Sequence, residues 1–146
     1  MGEEDSNYLR ELIRILVRNL GILEKGEFSC CGTTISNCHA LVEIGRAEEI
    51  SLNELAELLN LDNSTMSRTV NNLVKQGFVI RDIHSEDRRY VKIRLTDEGH
   101  KVFKTIETNM KVYYKSILKS IPENKREQVL DSLKLLVNAV EENKCC

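Results

Sequence analysis

The chain has 146 residues, 30% of them charged, and a formal net charge of −2. This length is enough for one domain with its own hydrophobic core, without disulfides or a structural metal. The sequence has no apolar run that could span a bilayer, and from its first residues we expect no signal peptide. We therefore expect a cytoplasmic protein without a membrane partner, whose five cysteines are thiols.

Charged residues are unevenly distributed along the chain. Residues 1–61 carry 5 basic and 11 acidic side chains, a net charge of −6, whereas residues 62–95 carry 7 basic and 4 acidic side chains, a net charge of +3. A basic segment within an acidic protein predicts a local contact with a polyanion, although a solvated charged surface has the same composition.

The single proline and seven glycines predict a chain rich in helices. Apolar residues at helical spacing predict a long amphipathic helix over residues 5–25. A second helix is expected to begin at Thr33 or Thr34, either of which can cap it, and to run to about Gly45.

Two short helices follow in close succession. "SLNELAELLN" opens with a capping box, in which Ser51 accepts from first-turn amides and Glu54 reaches back. "DNSTMSRTVNNLVKQG" then predicts a helix with Asn63 or Ser64 as its cap and a stop at Gly77. Two helices joined this tightly are typical of a helix-turn-helix.

The hydrophobic period then changes to two. "FVIRDI" and "VKIRL" predict short strands joined by the charged loop "HSEDRRY", so residues 33–95 are expected to form a winged helix-turn-helix. Further helices are predicted over residues 97–119 and 122–142, the latter with Pro122 at its start. Their apolar stripes, like that of residues 5–25, exceed what a small winged helix can cover. They predict dimerisation helices, with burial inside one subunit as the alternative.

The predicted fold class is therefore mainly α (α+β), as a single domain over residues 1–146. Its DNA-binding core would lie at residues 33–95, with dimerisation helices at residues 5–25 and 97–142. The segment "SRTVNNLVKQGFVIR" followed by "SEDRRYVKIRLTDEG" resembles the MarR (multiple antibiotic resistance regulator) family of dimeric winged-helix repressors.

The chain departs from the family pattern in two places. Asn37 replaces the usual Gln of the "T-x-x-Q" opening of the second helix. Asn71 and Asn72 stand where an Asp-Arg pair is common, so a phosphate contact by that Arg is not implied. The resemblance also implies an effector pocket between the dimer helices and the winged helix.

The second helix of the helix-turn-helix carries the expected DNA contacts. Ser64, Thr65, Ser67 and Arg68 lie in its first turns, where hydroxyls reach bases and phosphates and Arg binds guanine bidentately. Lys75 adds a positive charge near its end. Serines and threonines that only cap the helix are the alternative.

The loop between the two strands is the second expected contact. Arg88 and Arg89 at a hairpin tip suit a narrow, electronegative minor groove. The resemblance implies that Arg89 inserts into the groove and that Asp87 braces it, because a carboxylate would itself repel phosphate. A wing that is only solvated is the alternative.

These features predict a sequence-specific transcriptional regulator that binds double-stranded DNA as a homodimer. We expect a repressor that a small-molecule, redox or metal signal releases from a near-palindromic operator. The alternative is a winged-helix module that binds proteins and no DNA.

Catalysis is not expected, and no cofactor is predicted. Gly-rich phosphate loops, G-x-S-x-G and H-E-x-x-H motifs are missing from the sequence. Cys38 and His39 are adjacent on a helix, so their side chains point about 100° apart and cannot easily form a nucleophile–base pair.

The cysteines are the remaining candidate site. Cys38 lies on the buried stripe of its helix and is expected to belong to the core. Cys30 and Cys31 precede a helix N-terminus, which favours the reactive thiolate. With Cys145 and Cys146 they form a candidate thiol sensor for an oxidant or a thiophilic metal, although their spacing is not a standard zinc pattern. A small organic effector is the alternative.

Overall fold

The computed structural model describes residues 2–27, 35–83 and 91–144. In chain order the elements are α1 (Glu3–Glu27), α2 (Ile35–Ala47), β1 (Ile50–Ser51), α3 (Leu52–Leu58), α4 (Asn63–Lys75), β2 (Val79–Ile83), β3 (Val91–Leu95), α5 (Asp97–Ser120), a 3₁₀ turn (Glu123–Lys125) and α6 (Arg126–Glu142). The predicted fold class is confirmed. Among the described helices, none is long and apolar enough to cross a membrane.

The strands within the described residues form one antiparallel sheet in the order β1–β3–β2. Sequence analysis missed β1, because a two-residue strand has no periodicity of its own. It forms only where Ile50 lies opposite Ile93, more than forty residues further along the chain. The pairing of β1 with β3 therefore ties the start of α3 to the hairpin.

The core lies between α2, α3, α4 and one side of the sheet. Its largest fully buried side chains are Leu41, Ile44, Leu55, Met66, Val70, Leu73 and Ile93. Cys38 is also buried, with 3% of its surface exposed, which confirms the prediction that it belongs to the core. This packing fixes α4 on the body of the winged helix.

The first turn of α5 is attached to the turn that follows α4. The Thr96 hydroxyl donates to the Gly77 carbonyl at 2.6 Å and accepts from the Gly99 amide at 3.0 Å. The Thr96 amide donates to the carbonyl of Phe78 at 3.0 Å. Thr96 therefore caps α5 and joins its start to the end of α4.

The described chain divides into two compact units, Met1–Ile106 and Glu107–Cys146, with the division inside α5. In the second unit, Arg126 donates through Nε to the Ile121 carbonyl at 3.0 Å, so it satisfies an oxygen after α5. The predicted helix over residues 122–142 begins later. Pro122 has ψ of 134°, which is not helical, and α6 starts only after the 3₁₀ turn.

Three helices outside the winged helix have exposed apolar side chains. On α1 these are Tyr8, Leu9, Leu12, Ile15, Leu16 and Val17. On α5 and α6 they are Val112, Tyr114, Val129, Leu130, Leu133, Leu135, Val137 and Val140. Exposed apolar residues in such numbers are typical of helices that interact with a partner.

Candidate nucleic-acid interface

The helix-turn-helix begins at an N-cap that the sequence predicted. The Ser51 hydroxyl accepts from the backbone amide of Glu54 at 3.1 Å, which confirms Ser51 as the cap of α3. The Glu54 carboxylate in turn accepts from the Ser51 hydroxyl at 3.0 Å. The cap fixes where α3 starts against β1.

The turn between α3 and α4 ends at a different N-cap from the one that was predicted. Asn60 has φ of +54°, a left-handed conformation that Asn tolerates, and reverses the chain after α3. The N-cap of α4 is Asp62, whose Oδ1 accepts from the Thr65 amide at 3.0 Å. The prediction of Asn63 or Ser64 was wrong, because Asp62 still has an extended backbone whereas both of those residues are already helical.

The other end of α4 is closed by a Schellman motif. The Gly77 amide donates to the Val74 carbonyl at 3.0 Å, and the Phe78 amide donates to the Leu73 carbonyl at 3.0 Å. Gly77 has φ of +81°, which a side chain would strain. The predicted stop at Gly77 is confirmed, so α4 is held at both ends and along its buried side.

The two sides of α4 differ in chemistry. Met66, Thr69, Val70 and Leu73 are buried against the core, where the Thr69 hydroxyl donates to the Thr65 carbonyl at 3.1 Å. The opposite side is exposed or half-buried and polar; we call it the α4 polar face. It consists of Ser64, Ser67, Arg68, Asn71, Asn72 and Lys75.

Helical spacing brings most of the predicted DNA contacts onto this α4 polar face. Ser64, Ser67, Arg68 and Lys75 fall within about a third of the helix circumference at 100° per residue. Thr65 is half-buried at its edge, and its amide is already bonded to Asp62. The α4 polar face therefore presents hydroxyls, amides and cations together.

The surroundings of Asp62 favour the ionised form of this capping carboxylate beside the α4 polar face. The hydrogen bond with Thr65 is the main reason that the pKa of Asp62 is below its ordinary value, and the positive charge of Arg68 contributes. Asp62 thus stays ionised at the N-terminus of α4, where the helix dipole also stabilises a carboxylate.

Arg81, which sequence analysis did not select, extends the α4 polar face. The Arg81 guanidinium on β2 donates through Nη2 to Oδ1 of Asn71 on α4. On the hairpin, Arg94 donates through Nε to Asp82 at 2.6 Å, and this bond raises the pKa of Arg94 above its ordinary value. The spacing of Asn71, four residues after Ser67, could have indicated its place on the face, but nothing local indicates its bond to Arg81.

The remaining predicted site residues lie outside the described residues. These are Asp87, Arg88 and Arg89 of the wing and the cysteines Cys30, Cys31, Cys145 and Cys146. Within the ranges that are described, no group of three or more His, Cys, Asp or Glu side chains is placed to hold a metal ion.

Comparison with known proteins identifies relatives of the same kind. The sequence profile of the MarR family matches residues 33–91. The uncharacterized HTH-type transcriptional regulator YdgJ of Bacillus subtilis (strain 168) is 27% identical over 112 residues, which cover 77% of this chain and 68% of that protein.

Solved structures of other proteins have the same fold over most of the length of this chain. The transcriptional regulator SlyA is 26% identical with a TM-score of 0.81, covering 93% of this chain and 95% of that chain. Streptococcus pneumoniae FabT has the same fold, with a TM-score of 0.79 at 21% identity, covering 97% of this chain and 99% of that chain.

The sequence motifs and the winged-helix fold thus agree with the family profile and with these relatives. They confirm the predicted resemblance and the expectation of a regulator rather than an enzyme. Residues 33–91 therefore carry a MarR-family winged helix-turn-helix.

Proposed function

We propose that the protein binds double-stranded DNA as a homodimer and represses transcription from a near-palindromic operator. The α4 polar face is the observation that carries this proposal. Arg68 and Lys75 supply positive charge on it, and Ser64 and Ser67 supply hydroxyls, while the apolar side of the same helix is buried. A helix held in this way can enter a major groove without unpacking its core.

The proposed contacts have different roles. Arg68 reads a base edge from the first turns of α4, Ser64, Thr65 and Ser67 bind bases or phosphates, and Lys75 binds a phosphate. In the wing, Arg88 and Arg89 enter the minor groove and Asp87 orients Arg89. The wing assignment rests on the sequence alone. The crystal structure of FabT in complex with DNA supports DNA as a ligand of this fold.

The exposed apolar side chains of the terminal helices support a homodimer. Those of α1, α5 and α6 would be buried by a second copy of the chain, so residues 5–25 and 97–142 are the proposed dimerisation segments and residues 33–95 the DNA-binding core. Two-fold symmetry then places two copies of α4 on two half-sites, about one helical turn of DNA apart. Because DNA is the proposed ligand, the proposed location is the cytoplasm.

A repressor needs a signal that binds or modifies one conformation more strongly than another. We place the signal at Cys30 and Cys31, with Cys145 and Cys146 as partner thiols, and name an oxidant or thiophilic metal ion as its class. The observation behind this is the unusual density of thiols in the sequence, and a small organic molecule remains the competing signal.

Selection from a random pool of DNA duplexes tests the DNA-binding proposal. The purified wild-type protein should enrich a near-palindrome with half-sites about 10 base pairs apart, bound with steep salt dependence. A transcript from a promoter that overlaps the selected site should decrease when the protein is added. Failure to enrich any site, together with weak binding at low salt, would instead favour a protein-interaction module.

A further inference from the structure

The side chain of Arg81 lies on the face of the sheet that packs against the helices. Arg81 lies opposite the fully buried Ile93, two residues after the buried Val79, so strand alternation places all three on the side that packs against the helices. Arg81 itself is exposed, and its Nη2 donates to Oδ1 of Asn71 on α4. The guanidinium therefore lies at α4 rather than over the sheet.

Asn71 is central on the α4 polar face. It lies four residues after Ser67 and four before Lys75, and each step of four residues rotates by only about 40° around the helix. The hydrogen bond to Asn71 thus brings the charge of Arg81 to the surface by which α4 is proposed to bind DNA. The inference rests on that proposed function.

Whether the charge of an arginine here is neutralised depends on the side chain to which it is hydrogen-bonded. On the neighbouring strand, Arg94 is paired with Asp82 at 2.6 Å, and the carboxylate compensates its charge. Asn71 is neutral, so it orients the guanidinium without neutralising it. No ion pair joins Arg81 to a carboxylate among the residues that the structure describes.

A guanidinium has five N–H donors in a planar fork, and the bond to Asn71 uses one of them. The remaining donors, and a charge that no carboxylate of the described residues compensates, match a DNA phosphate, which accepts hydrogen bonds from Arg in the same fork geometry. We propose that Arg81 binds a backbone phosphate beside the α4 contact, with Asn71 as the residue that positions it. Such a contact adds affinity and fixes the docking of α4 but reads no sequence.

Salt-dependent binding measures this contact directly. The probe is a fluorescently labelled mixed-sequence duplex long enough to hold two half-sites, titrated with the full-length protein at several salt concentrations. The logarithm of the binding constant falls with the logarithm of the salt concentration by about 0.9 per phosphate contact. Arg81→Gln should reduce this slope by about 0.9 per subunit, or about 1.8 for a dimer bound through both copies.

Two variants control for charge and for structure. Arg94→Gln removes the same formal charge from the adjacent strand, but it removes an arginine that Asp82 already compensates, so the slope should stay at the wild-type value. Arg81→Lys keeps the charge and should also keep the slope. Thermal unfolding checks that each variant folds, and Arg81→Met is the second neutral variant should the Gln variant not fold.

The role of Asn71 is tested by a double-mutant cycle. Asn71→Ala should weaken binding in the wild-type background and have little further effect in the Arg81→Gln background, because the amide acts through Arg81. An equal loss in both backgrounds would show that Asn71 does not act through Arg81.

The outcomes separate this inference from the proposed function. Wild-type protein that does not bind the duplex would overturn both. Wild-type protein that binds with a steep slope, while Arg81→Gln shows that same slope and only a lower unfolding temperature, would overturn the phosphate contact alone. Arg81 would then be a structural link between β2 and α4.

Discussion

Gly99 packs against the backbone of Phe78: a β-carbon at position 99 would lie 2.9 Å from the Phe78 carbonyl carbon and would overlap the carbonyl oxygen. The same oxygen accepts from the Thr96 amide at 3.0 Å. This contact explains the threonine and glycine of the "LTDEG" segment. Thr96 caps α5, and Gly99 lets that helix approach the turn that ends α4.

Gly99→Ala should lower the free energy of unfolding by about 1–3 kcal/mol, because neither the helix nor the Phe78 backbone can move freely to relieve the overlap. In an open helical position the same change would be stabilising, since Ala is the better helix former. Urea unfolding followed by circular dichroism measures the difference. Gly2→Ala is the control, because a β-carbon there meets nothing within 4 Å. Wild-type or higher stability of Gly99→Ala would contradict the contact.

The Asp62 cap predicts a specific dependence of stability on pH. The pKa of Asp62 is lowered in the folded state, chiefly by its hydrogen bond with Thr65, so the ionised carboxylate stabilises the fold. This contribution is complete above the ordinary Asp pKa of about 3.9, and it is lost as the pH falls through the lower folded-state value. Asp62→Asn keeps a capping oxygen but does not titrate, so the stability difference between wild type and this variant should change below about pH 4.

Chemical unfolding of both proteins from neutral pH into the acid range tests this expectation. Asp131→Asn, which removes an exposed carboxylate from α6, controls for the change in net charge. A stability difference for Asp62→Asn that is the same at every pH would show that the cap does not titrate.

Local chemistry determined which helix ends could be predicted. Ser51 was identifiable because its partner, Glu54, is three residues away in the sequence. At α4 the segment "LDNST" offers four consecutive residues that can cap a helix, so the sequence did not decide among them. The bond between Asn71 and Arg81 could not be predicted, because it depends on how β2 packs beside α4.

Loss of Arg68 should affect sequence reading. Arg68→Ala should weaken binding to the selected operator by about 1–3 kcal/mol and relax the preference at one position in each half-site. Lys75→Ala should weaken binding to all duplexes to a similar extent, because a phosphate contact is independent of sequence. Lys101→Ala on α5 is the control for loss of a positive charge. The assignment fails for Arg68 if its variant keeps both wild-type affinity and wild-type preference.

Loss of the wing arginine should affect a different part of the operator. Arg89→Ala should weaken binding at the A/T-rich positions that flank the half-sites, because a narrow minor groove attracts arginine. Asp87→Ala should produce the same pattern to a lesser degree through lost orientation of Arg89. Footprinting of both variants on the selected operator measures the change, and an unaltered flanking footprint would show that the wing does not insert.

A carboxylate in the proposed dimer interface should separate the subunits. Leu133 is 44% exposed on α6, and Leu133→Asp would place an unpaired charge where two apolar surfaces meet. Light scattering after size-exclusion chromatography should show a dimer for wild type and monomers for this variant. Leu58→Asp on α3, at 53% exposure outside the terminal helices, should remain dimeric. A dimeric Leu133→Asp protein would exclude this part of α6 from the interface.

The proposed thiol signal predicts how DNA is released. Peroxide or a thiophilic metal ion should lower the operator affinity of wild type but not that of a Cys30→Ser, Cys31→Ser double variant. A panel of aromatic acids serves as the comparison. If both proteins release DNA equally, and only with the organic compounds, the cysteines do not sense the signal.

The burial of Cys38 has a practical consequence for chemical labelling. Because only 3% of its surface is exposed, a thiol reagent can reach Cys38 only when the packing of α2 against the core opens. In a variant that lacks the other four cysteines, the modification rate of Cys38 therefore measures how often this packing opens. Slower modification in the presence of duplex DNA would show that DNA binding stabilises the packing of α2 against the core.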